Sequence, residues 1–228
     1  QLERWQDLVN LYGEVVEQAG HDVELQVHLW TRIAQIYEQN LGNTDKSAEA
    51  YHRVIKVDER NLPAANSLES LYRRTENYQK LVEVVQLKVG MVEEVADKKA
   101  LYFQAARLYV EVLQSPDKSI EVYKGVLETD PNDTTAINSL ERLFIDLERW
   151  GDLKDIFARK VDLAQTVEDK KRVLNQMGEV YETKLNDIEH AIETYSGILD
   201  LDPTDWTAIS ALDHLYLTAQ RWYDLLQI

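Results

Sequence analysis

The side chains best suited to chemistry in this chain are its histidines and carboxylates. No two histidines are three or four residues apart, the spacing that sets two imidazoles over one metal ion on a helix. Asp187 and His190 are three apart. A helical metal site needs several such pairs to converge, so we expect a capping or loop role for this pair and no metal site. The five histidines are His21, His28, His52, His190 and His214.

Other catalytic signatures are also missing from the sequence. There are no cysteines, the eight glycines never cluster into a phosphate-binding loop, and no serine lies in a Gly-x-Ser-x-Gly elbow. Carboxylate pairs are abundant, but in an acidic helical protein they belong mostly to solvated faces. We therefore expect no catalytic residues, no cofactor and no enzymatic activity.

The charge balance limits the classes of partner. With 41 acidic and 25 basic residues, the formal net charge of −16 repels nucleic acid and anionic lipid headgroups. No window approaches the roughly 18 apolar residues of a membrane span, so no membrane insertion is expected. The sequence begins at Gln1, and a targeting segment can lie outside it. Localisation is left open by the sequence, with the cytoplasm slightly favoured.

The elements that position these residues follow an internal period of 72 residues. Tyr37, Tyr109 and Tyr181 are one set at this spacing. Further sets are Tyr51, Tyr123 and Tyr195; Leu68, Leu140 and Leu212; and Tyr78, Trp150 and Trp222. Within each block the apolar residues recur at steps of three and four, which indicates amphipathic helices.

Breakers separate these helices, as at Asp130-Pro131 and Asp202-Pro203. Each block therefore predicts four helices, or two helical hairpins. The predicted helices lie near 4–19, 23–40, 45–57, 63–74, 77–94, 97–113, 117–129, 133–146, 149–166, 168–184, 188–200, 205–218 and 221–228. The last is too short to be stable alone, so we expect it to fray or to rest on a neighbouring molecule.

The predicted fold class is all-α, a right-handed α-solenoid of about six stacked antiparallel hairpins with a 72-residue double-hairpin period. Residues 1–228 are expected to form a single array, cut from a longer one. Its successive blocks are 5–76, 77–148 and 149–220.

The stretch from Val173 to Pro203 resembles the tetratricopeptide repeat. Met177-Gly178 followed by Tyr181 matches the large-small-aromatic signature of that family's first helix, and Ala191 and Tyr195 match its second. Ala34 and Ala106 fill the small position in the other blocks. Small residues let two helix backbones approach closely, and aromatics fill the space between hairpins. This packing signature predicts that the tryptophans lie in the core between repeats.

The alternate hairpins depart from the family pattern. Glu69, Glu141 and Asp213 stand where a small residue is expected. The loops inside the other hairpins are one residue longer than usual.

The resemblance implies that a peptide or partner helix binds the concave face of the first helices. Asn66 and Asn138 recur there at the period, and asparagine suits a peptide backbone because it both donates and accepts. Simple duplication of a surface residue explains them equally well. The candidate partner-binding residues are Asn66, Arg73, Arg74, Phe103, Arg107, Asn138, Arg142, Arg172 and Asn175.

The arginines among them suggest a basic stripe, and the hypothesis that an acidic or C-terminal-carboxylate peptide binds there. The lysines of the family's carboxylate-clamp members are absent from this face. The leading expectation is a protein-interaction scaffold with a protein or peptide partner. Two alternatives stay open: a self-assembling structural element whose ends stack head to tail, and a docking or regulatory segment of a larger enzyme.

Overall fold

A computed structural model describes residues 2–228 of the chain, which are mostly helical. Along these residues there are thirteen α-helices and no strand. In chain order they are α1 (Leu2–Gln18), α2 (Val23–Gln39), α3 (Thr44–Val57), α4 (Leu62–Arg74), α5 (Tyr78–Val89), α6 (Val95–Arg107), α7 (Pro116–Thr129), α8 (Thr134–Asp146), α9 (Trp150–Leu163), α10 (Val167–Thr183), α11 (Ile188–Leu201), α12 (Trp206–Thr218) and α13 (Trp222–Leu225). A π-helical segment, Leu108–Val112, follows α6.

Asparagine and aspartate side chains begin many of these helices. Asn43, Asn61 and Asn77 each accept a hydrogen bond from the backbone N–H three residues later, and so do Asp187 and Asp205. Such a cap satisfies one of the free N–H groups of the first turn, and replacing it by alanine typically costs ~1 kcal/mol. The short polar residues between the apolar runs therefore set where each helix starts.

The chain divides into two compact units, Gln1–Asp130 and Pro131–Ile228. Within each unit a helix packs mainly against the helices that precede and follow it in the chain. The hairpins are α2/α3, α4/α5 and α6/α7 in the first unit, and α8/α9, α10/α11 and α12/α13 in the second. This consecutive packing confirms the predicted all-α repeat fold.

The recurring small residues lie at the closest approach of two helices. Ala34 and Ala106 are fully buried, and Gly178 is buried at the equivalent place. A Cβ atom on Gly178 would lie 2.6 Å from Cζ of Tyr195. The aromatic ring of α11 thus rests directly on the backbone of α10, as the packing signature predicts.

The extra loop residue inside α2/α3 is absorbed by a wide turn. The N–H of Leu41 donates to the carbonyl of Ile36 at 3.1 Å, and that of Asn43 donates to Tyr37 at 2.8 Å. Gly42 lies between them with a φ of 63°. The same pair of bonds ends α10, and in the middle block it ends the π-helical segment. The longer loop therefore leaves the hairpin geometry intact.

The alternate hairpins use a tighter turn, which also has a residue in the left-handed region, as Gly42, Gln114 and Asn186 do in the longer turn. Glu76, Glu148 and Gln220 have φ values of 53°, 54° and 56°. In each case the following N–H bonds to the carbonyl five residues earlier, as from Asn77 to Tyr72 at 2.9 Å. This is the bond that closes a Schellman motif.

Some sequence expectations about these elements were wrong. The helix expected over 77–94 ends at Val89, because the N–H groups of Gly90 and Met91 turn back three residues to Leu87 and Lys88. The helix expected over 97–113 begins at 95 and becomes π-helical at 108, and that over 221–228 is reduced to α13.

The tryptophans are not fully buried, although Trp30 packs against the hydrophobic core of the first unit. Trp206 is 76% exposed and Trp222 is 57% exposed, while Trp30 and Trp150 are partly buried. Trp206 opens α12, before the first position that faces the core, so its ring has no neighbouring helix to pack against.

Candidate partner-binding surface

The predicted binding residues of the first unit lie on the first helices of its hairpins. Asn66, Arg73 and Arg74 are exposed on α4, and Arg107 is exposed on α6. Phe103, also on α6, is partly buried, and its ring centroid lies 6.0 Å from that of Tyr123 on α7. Phe103 thus contributes mainly to the interior of its hairpin.

The predicted residues of the second unit also lie on the first helices of its hairpins. Asn138 and Arg142 are exposed on α8, and Arg172 is exposed on α10. Asn175 on α10 is partly buried.

Hydrogen bonds join neighbouring first helices along this face in the first unit. Arg74 on α4 donates to Glu38 on α2 at 2.9 Å. Gln104 on α6 donates to Glu69 on α4 at 2.7 Å. Helices α2, α4 and α6 therefore lie side by side and present their polar residues to a common surface.

Each of the five predicted arginines is paired with a carboxylate. The pairs are Arg73–Glu69 at 2.9 Å, Arg74–Glu38 at 2.9 Å, Arg107–Glu111 at 2.7 Å, Arg142–Asp146 at 3.7 Å and Arg172–Asp169 at 2.6 Å. Three of the pairs lie within one helix, and Arg107–Glu111 joins α6 to the π-helical segment; exposed pairs at such spacings contribute only about 0.3–0.5 kcal/mol. The arginines therefore do not form an unpaired basic stripe.

Glu69 is the residue whose role the sequence did not reveal. Its carboxylate accepts from Lys88 on α5 at 2.6 Å, as well as from Gln104 and Arg73. Burial alone would raise the pKa of Glu69, but the bonds from Lys88, Gln104 and Arg73 outweigh it and hold that pKa below its ordinary value. An ion pair thus joins the two helices where a small residue was expected.

The same ion pair recurs in the next block. Lys160 on α9 donates to Glu141 on α8 at 2.7 Å, and both residues lie 72 positions after Lys88 and Glu69. The sequence therefore did contain a signal for this ion pair, because the glutamate and the lysine both recur at the 72-residue period. A search for apolar repeats does not find it, because both members are charged.

A second charged cluster ties the start of α12 to α10. Lys171 donates to Asp202 at 2.7 Å and lies 2.8 Å from Asp205. Hydrogen bonds from Lys171 and Thr204 lower the pKa of Asp202 to about 2, and the bond from Lys171 lowers that of Asp205. In return, Asp202 and Asp205 raise the pKa of Lys171. The only basic side chain buried in this part of the second unit is thus fully engaged.

The first two blocks vary this cluster in a consistent way. Lys99 donates to Asp130 at 2.7 Å, 72 positions before Lys171 and Asp202. In the first block Val27 stands at the lysine position, and there Asn61 donates to Asp58 at 2.9 Å. The position of Asp205 is therefore filled by an amide, Asn61, in the one block that has no lysine at this place.

An open pocket of about 540 Å³ lies beside this cluster in the second unit. Asn175, Glu179 and Tyr195 line it, together with Arg172 and Thr207. Asn175 donates from Nδ2 to the carbonyl of Lys171 at 3.0 Å, while its Oδ1 is buried without a hydrogen-bond partner. Burial, with smaller contributions from Glu182 and Glu179, raises the pKa of Tyr195 to about 12.

The histidine and aspartate singled out in the sequence form a helix cap, as expected. Asp187 accepts from the backbone N–H of His190 at 3.2 Å and lies 2.7 Å from its Nδ1. The ring of His190 stacks on Tyr181 with centroids 5.3 Å apart. The carboxylate of Asp187 raises the pKa of His190. No group of three potential metal ligands, and no helix long and apolar enough to cross a bilayer, occurs within residues 2–228.

The sequence profile described as Tetratricopeptide repeat matches residues 27–61 and 171–205. These segments are the hairpins α2/α3 and α10/α11 with the turn that follows each. A comparison with curated proteins finds no match.

Several solved structures are similar to this chain at low sequence identity. YrrB, described as a TPR protein with an unusual peptide-binding site, is 16% identical with a TM-score of 0.37, and the match covers 88% of this chain and 96% of that one. A tetratricopeptide repeat protein from Parabacteroides merdae is 14% identical with a TM-score of 0.37, over 89% and 77%. Naa15/Naa10 bound to HypK-THB is 11% identical with a TM-score of 0.50, over 98% of this chain and 36% of that one.

Proposed function

We propose that this chain, two segments of which match the tetratricopeptide repeat, binds an extended peptide or a partner helix across its first helices. Arrays of this fold serve generally as protein-interaction scaffolds. The observation that carries the proposal is the side-by-side arrangement of α2, α4 and α6, joined by the bonds from Arg74 to Glu38 and from Gln104 to Glu69. Such a surface offers polar groups in a row to one elongated ligand.

Several features of this surface suit a polypeptide ligand. Asn66 and Asn138 stand exposed one period apart, and each amide can both donate to and accept from a peptide backbone. The exposed ion pairs of Arg107 and Arg142 are weak enough to exchange for ligand groups. Ligand binding then replaces local pairs and does not require refolding.

Titration of the purified chain with acidic, neutral and basic peptide pools, followed by fluorescence anisotropy, tests this proposal. We expect binding by at least one pool, and at least tenfold weaker binding of an acidic pool to a variant with Arg107→Glu and Arg142→Glu. The matched control carries Lys124→Glu and Lys154→Glu, the same charge change on the second helices α7 and α9. Equal loss in the two variants would mean that only net charge matters. No binding by any pool would refute the proposal.

A second candidate function, self-assembly, is supported by apolar residues at both ends of the chain. In α1 Leu11 is 54% exposed, while the corresponding Ile156 of α9 is buried. In the last turn Leu226 and Tyr223 are strongly exposed. A second copy could cover these surfaces by head-to-tail stacking. Light scattering that shows reversible growth with concentration, abolished by Leu11→Glu, would favour assembly, and a monomer at all concentrations would exclude it.

A further inference from the structure

A pocket of about 460 Å³ lies in the first unit, beside the turn between α1 and α2. Gly20 and His21 of that turn line it, together with Trp30 on α2 and with Arg53 and Lys56 on α3. Among residues 2–228, no aspartate or glutamate forms part of this lining. The pocket beside α10, by contrast, has three carboxylates in its lining. In this acidic chain, the pocket beside α1 and α2 therefore has walls of the opposite charge.

The guanidinium of Arg53 is positioned for a ligand in this pocket. Its central carbon lies 5.9 Å from the centroid of the Trp30 ring, and both residues belong to the wall. Glu17 and Glu49 line an adjoining pocket that shares Arg53 and Trp30, but within the described part of the chain Arg53 pairs with neither. A guanidinium over an aromatic ring keeps its N–H groups for bidentate bonds to an oxyanion.

Lys56 adds a second cation to the same wall. It follows Arg53 by three residues on α3, so the two side chains leave the helix on the same side. Both are exposed, and within residues 2–228 Lys56 forms no ion pair. The arginines of the first-helix surface are each held by a carboxylate. An anion that enters this pocket therefore displaces no carboxylate of the chain from Arg53 or Lys56.

The charge of this wall is reversed in the other two blocks. At the 72-residue period the equivalents of Arg53 and Lys56 are Gly125 and Glu128 in the second block, and Gly197 and Asp200 in the third. The formal charge of the two positions is therefore +2 (Arg and Lys) in the first block and −1 (Gly with Glu or Asp) in each of the others. Packing of the repeat does not require the two cations, because the other blocks fold without them.

The rest of the pocket is apolar and has a fixed rim. Val16, Val23 and Val57 complete the walls, and Val23 is 52% exposed. Gln26 donates from Nε2 to the carbonyl of Gly20 at 2.6 Å, which ties the turn between α1 and α2 to the helix that follows it. The valines offer contact area that an inorganic anion cannot use, so they favour an organic ligand with an apolar group beside its charge.

We infer that this pocket holds an oxyanion carried by a side chain of a partner polypeptide, either a carboxylate or a phosphate, with an apolar neighbour against the valines. An oxyanion only accepts hydrogen bonds, which matches the guanidinium of Arg53 and the ammonium of Lys56, since these groups only donate. A cationic ligand would meet two like charges. The inference goes beyond the proposed function, because within the described chain no residue of α4 or α6 lines the pocket.

The test uses the peptide acetyl-Ser-Leu-Glu-Leu-Ser-amide and two analogues in which glutamine or phosphoserine replaces the glutamate. Binding to the whole chain is followed by the NMR shifts of the Trp30 indole N–H and the Arg53 Nε–H. We expect a dissociation constant in the millimolar range, at least fivefold weaker binding of the glutamine peptide, and an affinity that falls as salt is added. Phosphoserine should bind at least as tightly as glutamate, because it carries nearly two charges.

The two anionic peptides distinguish the sources of the oxyanion. At least tenfold tighter binding of the phosphoserine peptide would identify a phosphorylated partner, and similar affinities would identify an acidic one. Inorganic phosphate is the third probe, and binding as tight as that of the phosphoserine peptide would overturn the assignment to a polypeptide.

Variants locate the contact. The double variant Arg53→Ala with Lys56→Glu should weaken binding of the glutamate peptide at least tenfold. If it folds poorly, Lys56→Glu alone, which introduces the residue of the second block at an exposed position, should still weaken binding at least threefold. The matched control is Arg159→Ala with Lys154→Glu, the same charge change at exposed positions of α9, and it should bind like the wild type.

The outcomes separate this inference from the proposed function. The variant with Arg107→Glu and Arg142→Glu should bind the short glutamate peptide like the wild type. Loss of binding in that variant but not in the Arg53 and Lys56 variant would overturn the pocket and leave the first-helix surface as the site. Equal binding of the glutamine peptide, equal loss in the α9 control, or no binding by either anionic peptide would also overturn it, whatever the peptide pools show.

Discussion

The substitution Glu69→Ala is expected to have opposite effects on stability according to the family pattern and according to the structure. The family pattern places a small residue here, so it predicts that Glu69→Ala is neutral or stabilising. The structure predicts the opposite, because Glu69 accepts bonds from Lys88, Gln104 and Arg73. The side chain of Lys88 is only 12% exposed and would lose its carboxylate partner.

The size of the effect follows from these contacts. A buried hydrogen bond to a charged group contributes ~1.5–3 kcal/mol. The cluster is partly open to solvent, so we take about half of that for each of the bonds from Lys88 and Gln104, roughly 1.5–3 kcal/mol for the two, and about 0.3–0.5 kcal/mol for the exposed Arg73. The higher helix propensity of alanine offsets roughly 0.4 kcal/mol of this loss. The expected loss of unfolding free energy is about 2 kcal/mol, which lowers Tm by roughly 4 to 8 °C.

Urea unfolding at pH 7, followed by far-UV circular dichroism, measures this change. The neighbouring exposed substitution Ser70→Ala is the control and should stay within about 0.5 kcal/mol of the wild type. Adding Lys88→Met to Glu69→Ala should recover part of the loss, because it removes the unpaired ammonium. The reasoning would be refuted by a Glu69→Ala variant as stable as the wild type.

The pH dependence of Glu69→Ala provides an independent check. The bonds to Glu69 lower its pKa from the ordinary value of 4.5. The contribution of ionised Glu69 to stability is therefore complete above pH 4.5, and it is lost as the pH falls through the lower pKa of the folded state. We expect the difference between wild type and variant to shrink in acid.

Three further predictions concern the second unit. A Cβ atom at Gly197 meets nothing within 4 Å, so Gly197→Ala should stabilise α11 by about 0.5–1 kcal/mol in urea unfolding. At Gly178 the Cβ would meet the ring of Tyr195 at 2.6 Å, so Gly178→Ala should be less stable than Gly197→Ala by more than about 1 kcal/mol. Equal stabilities of the two variants would contradict the close approach. Asp187→Asn should lower the pKa of His190 in an NMR titration, since the carboxylate raises it in the wild type, and the stability that this pair adds should be present below pH 6.5 and lost as pH rises through the raised pKa. Backbone amides of α13 should exchange with solvent at nearly unprotected rates in a dilute monomer, because a four-residue helix with no buried residue has little to hold it.

The helices could be predicted from the sequence because their signals are local and repeated. Tyr37, Tyr109 and Tyr181 mark the same turn of three equivalent helices, and caps such as Asn43 and Asp187 begin the helices that follow. Three copies of the same pattern identify a helix more reliably than a single copy does. The prediction failed at 90–94, where Gly90 caps the end of α5 and two backbone hydrogen bonds turn back three residues.

The surface was harder to predict than the fold. Position on a first helix placed Asn66 and Arg107 at exposed sites, as expected. Sequence spacing does not show which residue of another helix an arginine meets, so the pairing of Arg74 with Glu38 emerged only in three dimensions. The unpaired oxygen of Asn175 was likewise beyond the sequence, because it depends on how the amide is oriented by a backbone carbonyl.

The charged cluster of Lys171 also constrains how such a gene could be rearranged. In the third block a lysine accompanies Asp202 and Asp205, whereas in the first Val27 accompanies an amide, Asn61. A crossover that joined the front half of the first block to the back half of the third would leave two carboxylates facing a valine. A crossover between blocks at 76/77 or 148/149 would keep each set together. Shuffling in whole 72-residue units is therefore the exchange that preserves electrostatic matching, and libraries recombined at those junctions should yield more folded members than libraries cut within a hairpin pair.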